Sequence, residues 1–333
     1  MLPFNRPIIV FLFLIVLAII GLRQCPFEKP EVVQKSQIIM DTVVQITAFG
    51  EEGSRTTAAV NAAFGEMKRI EALTSFYMEG SDLQRLAVAG SAEVSPEVAG
   101  IISLGLEVAR ASGGAFDMTL GNLKSLWGIE TDQPRVPGVE EIREALKGTG
   151  PDALKVDGLR VEKKSAATTV DLGGIAKGFA IDRAVDILAG NGIKHAAVNA
   201  GGDIRLLGDR KGKPWRIAIQ DPRHSSRFAA KLFLKDVAVV TSGDYERFFE
   251  KDGVRYHHLF DPRTGYPSQA SRSVTVLAEN ATLADALATA AFVLGPEKGL
   301  DLLKKFPSAA GLIIGADGKN HTTPGFDKVV EWQ

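Results

Sequence analysis

The chain has 333 residues, enough for one large α/β domain with extra layers or for two smaller ones, and its 45% hydrophobic and 24% charged content suits a globular protein with a buried core. A net charge of −1, with no long run of one sign, leaves no electrostatic footprint for DNA or RNA, so nucleic acid is excluded as a partner. The single cysteine, Cys25, rules out an intramolecular disulfide framework and any CxxC zinc or redox site, and five histidines leave little for a multi-histidine centre. A bound metal is therefore expected on oxygen ligands, which points to Mg²⁺ or Ca²⁺.

The first 25 residues differ from the rest. Arg6 precedes an uncharged apolar run from Ile8 to Leu22, and Arg23 follows. That run is short for a membrane-crossing helix, which needs about 20 residues, and suits a signal segment or a short anchor. Leu22-Arg23-Gln24 lacks the small residues that lipidation of Cys25 would require. Export is expected, with an uncleaved anchor or ordinary cleavage. Residues 26–35 then read as a tether, and residues 36–330 as the folded domain.

Ile38 to Phe49 is β-rich and ends at Gly50, so one strand is expected there. Thr56 to Leu73 carries apolar residues at helical spacing, and a short helix begins at Ser81. Ser95-Pro96-Glu97 opens a helix through Ala111, which Ser112-Gly113-Gly114 stops. Residues 130–150, rich in proline, glycine and charge, read as an exposed insertion. Val170 to Ala189 reads as a strand end, a tight turn on Gly173 and Gly174, and an amphipathic helix closed by Gly190-Asn191-Gly192. Strands are expected at 195–199, 215–219, 229–234, 237–240, 254–260 and 273–277. Helices over 282–294 and 297–306, broken at Gly295-Pro296, precede a strand over 311–314. The uneven alternation, with antiparallel-looking runs late in the chain, indicates an α+β fold.

The glycine turn is the first place where chemistry fits. Without Cβ atoms the backbone there can approach a ligand closely, and the following helix offers unpaired N–H groups that favour an anion. Asp171 precedes the turn and Lys177 follows it. Asp285 and Thr289 lie four residues apart, on one helix face, which suits a hard cation; Thr282-x-x-Asp285 equally fits a capping pattern. His257 and His258 are adjacent in an expected strand, so at most one points into a site, as a general base or phosphate contact or as a structural group. Tyr77, Met40 and the Ala115-Phe116-Asp117 loop could line a flat ligand or belong to the core. The GxGxxG, Walker A, GxSxG and HExxH signatures are absent.

The segments MDTVVQI, TSFYMEGSDL, GAFDMTLGNLKSLWG, VDLGGIAKGFAID, VNAGGDI, TSGDYERF, YHHLFDPRTGYP and SVTVLAENATLADALATAAFVLG, in this order, resemble the ApbE family of FAD:protein FMN transferases over roughly residues 36–330. Asp82 stands where that family more often has Glu, and residues 130–150 match none of its motifs. The resemblance implies Mg²⁺-dependent cleavage of FAD, with FMN passed to a Thr or Ser hydroxyl of an acceptor flavoprotein and AMP released. It further implies metal ligands at Asp285, Thr289 and the Gly174 carbonyl, with Asp285 and His258 as catalytic groups. FAD would be contacted by Asp171, Lys177 and His258 and lined by Met40, Tyr77, Ala115, Phe116 and Asp117. Acceptors in such a family belong to membrane redox complexes, which fits export to the periplasmic face of the inner membrane. Two other readings use the same pocket: an FAD pyrophosphatase yielding FMN and AMP, and a non-enzymatic flavin-binding protein at the membrane.

Overall fold

The structure, a computed structural model, describes residues 31–332. The leader, Cys25 and the first half of the expected tether lie outside the described residues. The chain opens with strands β1 (Glu31–Ile39) and β2 (Thr42–Gly50) and helices α1 (Gly53–Thr74) and α2 (Asp82–Ala89). Strand β3 (Ser91–Glu93), helices α3 (Pro96–Ala111), α4 (Gly121–Trp127) and α5 (Val139–Ala145), and strands β4 (Leu154–Asp157) and β5 (Arg160–Lys163) follow. After helix α6 (Ala176–Gly190) come β6 (His195–Ala200), β7 (Asp203–Leu207), β8 (Trp215–Gln220), β9 (Phe228–Leu234) and β10 (Ala238–Gly243). Next are β11 (Phe248–Lys251), β12 (Val254–His257), β13 (Ser271–Ala278), α7 (Ala281–Lys304), β14 (Ala310–Gly315), β15 (Asn320–Thr322), α8 (Pro324–Asp327) and β16 (Val330–Trp332).

Eight strands form the central sheet in the order β1-β2-β6-β7-β10-β13-β14-β15, every neighbouring pair antiparallel. Side chains alternate between its faces, and in the middle strands both faces are covered. Val240, Val276 and Ile313 join the core beneath the helices, while their neighbours Val239, Leu277 and Leu312 pack against the small sheet β16-β9-β8. Helix, sheet and second sheet thus stack as layers, which is the α+β architecture expected.

Three expectations need correction. The first strand is a hairpin: β1 starts at Glu31 and pairs with β2 from Glu31↔Gly50 to Ile39↔Thr42, so residues 31–35 are strand rather than tether. Its Gln, Lys and Ser residues occupy a half-exposed edge strand, which disguises the pattern. Val170 ends no strand; the segment makes only one bridge, Leu120 with Thr169. Nor is 130–150 a bare insertion, because α5 buries Ile142 in a cluster with Leu123, Trp127 and Phe260. Trp127 fixes that cluster by donating its indole N–H to the Gly265 carbonyl at 2.9 Å.

Two contacts lock α6 to α7. A Cβ at Gly178 would lie 2.2 Å from the Ala281 carbonyl oxygen and 2.9 Å from the Thr282 Cα, so only glycine lets the two backbones touch. Asp182 then accepts the otherwise orphaned N–H groups of Ala281 and Thr282, each at 2.8 Å, and the Thr282 hydroxyl at 2.6 Å. Backbone atoms cannot rotate aside as a side chain can. Gly178→Ala is therefore expected to destabilise the protein by about 1–3 kcal/mol or more, visible as a lowered Tm; an unchanged Tm would show that the helices separate freely.

Candidate functional site

The glycine turn, the start of β7, the end of β10 and the middle of α7 meet above this lock. They line one cleft with Asp171, Gly174, Lys177, Asp285, Thr289 and His258. Ala115, Phe116 and Asp117 form another part of its wall. Met40 and Tyr77 line an adjoining hollow, which shares Lys124, Glu130, Asp171, Gly173, Lys177 and Arg247 with the cleft. Of the residues singled out in the folded domain, all but His257 therefore border one of two adjoining cavities.

Asp285 does not cap its own helix. Asn280 does so, accepting the Leu283 N–H at 2.8 Å. Asp285, only 4% exposed, instead reaches across to α6, where its Oδ2 accepts the Gly178 N–H at 3.0 Å. Burial pushes its carboxyl well above the usual range; Lys177 opposes that shift and Asp203 adds to it. One turn on, Thr289 Oγ1 stands 3.5 Å from Ser242 Oγ and would be 3.3 Å from a Cβ at Gly174. That same Cβ would be 3.2 Å from the Phe116 ring, so a bare backbone is what brings the turn this close to Thr289.

Lys177 is paired with Asp203, which is 2% exposed and also accepts the Thr241 N–H at 3.1 Å. Burial alone would lower the lysine's pKa, but Asp203 and Asp285 overcome it and hold the ammonium charged. Asp203 went unnoticed in the sequence although it directly follows Gly201-Gly202, the same kind of turn that drew attention to Gly174. Glu246 and Arg247, from the turn between β10 and β11, also reach the cleft.

The two histidines separate at the end of β12, where His257 is the last strand residue and His258 begins the following loop. His257 is buried, its Nε2 donating to the Ser268 carbonyl at 2.8 Å and its Nδ1 accepting the Leu259 N–H at 3.2 Å. Both ring nitrogens are occupied, so this residue is structural. His258 lines the cleft, with Nδ1 3.3 Å from the Arg247 carbonyl. A carbonyl only accepts, so Nδ1 carries the proton and Nε2 keeps its lone pair. Burial lowers its pKa to about 4; Glu130 works against that shift and Arg247 with it. The imidazole is neutral at physiological pH.

Other side chains are less free. Asp117 Oδ1 is taken up by the N–H and hydroxyl of Thr119, at 2.8 and 2.5 Å, so this carboxylate mainly holds its own loop. Met40 sits at the tip of the β1–β2 hairpin, where φ is 53° for Met40 and 56° for Asp41, and its N–H donates to Glu71 at 2.7 Å. Tyr77 is 88% exposed beside Phe76, so its ring stands free at the rim of the hollow rather than in the core.

Among the described residues no group of three or more His, Cys, Asp or Glu side chains is assembled to hold a metal. A cation at Asp285 would draw instead on one free carboxylate oxygen, the Thr289 hydroxyl, a backbone carbonyl of the glycine turn and oxygens brought by a substrate. That all-oxygen, incomplete set fits Mg²⁺, which keeps positions for phosphates and water.

Residues 40–313 match the ApbE family model. An FAD:protein FMN transferase of Treponema pallidum is 36% identical over 316 residues, spanning 87% of this chain and 86% of its own. One from Vibrio cholerae is 36% identical, over 82% of this chain and 85% of its own. Among solved structures, the ApbE protein of Thermotoga maritima superposes with a TM-score of 0.82 at 38% identity, covering 90% of this chain and 99% of that one. The flavin transferase ApbE of Vibrio cholerae gives 0.79 at 31% identity, with the same coverage. With its fold, its motifs and its overall sequence in agreement, the chain belongs to the ApbE family.

Proposed function

We propose that this protein is an FAD:protein FMN transferase that moves FMN from FAD to a Thr or Ser hydroxyl of an acceptor flavoprotein and releases AMP. The observation that carries this reading is the meeting of Asp285, Thr289, the Gly174 turn and Lys177 with a neutral His258, in a cleft that adjoins a second hollow. Connected cavities with a charged waist suit a dinucleotide, whose rings differ and whose diphosphate lies between them.

The acceptor oxygen forms a bond to the flavin-side phosphorus as the bond from that phosphorus to the bridging oxygen breaks. The bridging oxygen leaves with AMP. His258, with its Nε2 lone pair, is suited to take the hydroxyl proton. Lys177, held charged by Asp203, stands where negative charge collects. Asp285, Thr289 and the Gly174 carbonyl would hold Mg²⁺, which supplies charge neutralisation on the diphosphate. The apolar leader supports an exported enzyme at the periplasmic face of the inner membrane, acting on a subunit of a membrane redox complex.

Incubation with FAD, Mg²⁺ and a purified acceptor flavoprotein tests the proposal. Covalent flavin on the acceptor, with one AMP per FMN attached, is expected. Free FMN plus AMP would replace the transferase by a pyrophosphatase, and unchanged bound FAD would leave only a flavin-binding protein.

A further inference from the structure

A chain of ion pairs crosses the waist between the cleft and the adjoining hollow. Lys124, on α4, lies 3.0 Å from Glu130 Oε2 and 3.1 Å from Asp171 Oδ2. The other oxygen of Glu130 receives Arg247. At one end, Asp171 Oδ1 accepts the Gly173 backbone N–H at 2.7 Å; at the other, the Arg247 carbonyl accepts the His258 backbone N–H at 3.2 Å and faces its ring Nδ1 at 3.3 Å. The glycine turn and the histidine are thus the ends of one chain with Glu130 at its centre.

Glu130 follows closely on Trp127, whose burial fixes where this part of the backbone sits. The two cations come from segments far apart in sequence, and the Arg247 side chain is 42% exposed. Like charges on long side chains repel and turn toward water unless an anion gathers them. Burial would raise the pKa of Glu130, yet Lys124 and Arg247 hold it below the ordinary carboxylate range, so it stays an anion. Each cation retains donors that Glu130 does not use, since an ammonium has three and a guanidinium five.

We propose that Glu130 is a positioning residue, which sets Lys124 and Arg247 as a two-cation clamp on the diphosphate of FAD. This rests on the transferase reading and deepens it. Charge alone argues the opposite, because a carboxylate beside an anion site weakens binding. Glu130→Gln keeps the shape and removes the charge, so the two effects predict opposite signs.

FAD affinity, read from flavin fluorescence, and transfer kinetics are measured for wild type, Glu130→Gln and Glu130→Asp. The same Glu130→Gln change is also made in a Lys124→Met/Arg247→Met background. The clamp predicts that Glu130→Gln weakens FAD binding about tenfold and lowers kcat as well. Glu130→Asp, with its charge kept but its reach shortened, should also bind more weakly, which covers the case where the Gln variant does not fold. Without the two cations, Glu130→Gln should have no further effect. Variants that bind FAD as tightly as wild type, or a penalty that persists without the cations, would overturn the clamp. A wild-type protein that binds no FAD would instead remove the transferase reading itself.

Discussion

Replacing Asp285 by Asn is expected to abolish flavin transfer, by about 10³-fold or more, while leaving the protein folded. The amide keeps the volume and can still accept the Gly178 N–H through its oxygen, so the contact between α6 and α7 survives. What disappears is the negative charge. Burial raises the pKa of Asp285, so folding favours its protonated form, and its ionisation works against the fold as pH rises past the ordinary carboxylate range. The Asn variant has no such penalty and should unfold at the same temperature as wild type or higher at neutral pH. Millimolar Mg²⁺ should raise the wild-type Tm by mass action and leave that of the variant unmoved. A variant that transfers flavin at the wild-type rate, or whose Tm still responds to Mg²⁺, would end the assignment of Asp285 as the metal-holding carboxylate.

His258→Gln should lower kcat by about 10²–10⁴-fold, since the amide occupies similar space but cannot take a proton. The pH dependence gives an independent check. An ordinary histidine, with a pKa of 6.5, is largely protonated at pH 5; here the value is lowered to about 4, so the base stays available through mildly acidic conditions. With Mg²⁺ saturating, so that Asp285 stays ionised, the wild-type kcat/KM should show an acid limb near pH 4, and that limb should be missing in the Gln variant. Linkage runs the same way. The unfolded chain binds this proton more readily than the native one, so the contribution is intact above about 6.5 and is lost as pH falls toward 4. A wild-type limb near 6.5, or a Gln variant within a few-fold of wild type, would remove His258 from the base role.

The site is legible in the sequence where its signals are local. Two glycines followed by a helical period placed the turn at Gly174, and four-residue spacing put Asp285 and Thr289 on one face. The sequence leaves open whether Asp285 caps its own helix, because the deciding partner, Gly178, lies 107 residues away. Strand alternation allows only one of His257 and His258 into a site, but the choice depends on Ser268, which claims His257 from the loop before β13. Asp203 and Glu130 were missed for a related reason. Their partners Lys177, Lys124 and Arg247 reach them only through the tertiary fold. Strand β1 was hidden by its edge position, where polar residues face water and blur the alternation.

The backbone contact at Gly178 bears on how turnover proceeds. The carboxylate sits on α7 and the glycine turn leads straight into α6; the two helices touch atom to atom and are stitched again by Asp182, so neither helix can swing toward an incoming ligand. The reacting groups are aligned once, when the polypeptide matures, rather than anew in each cycle.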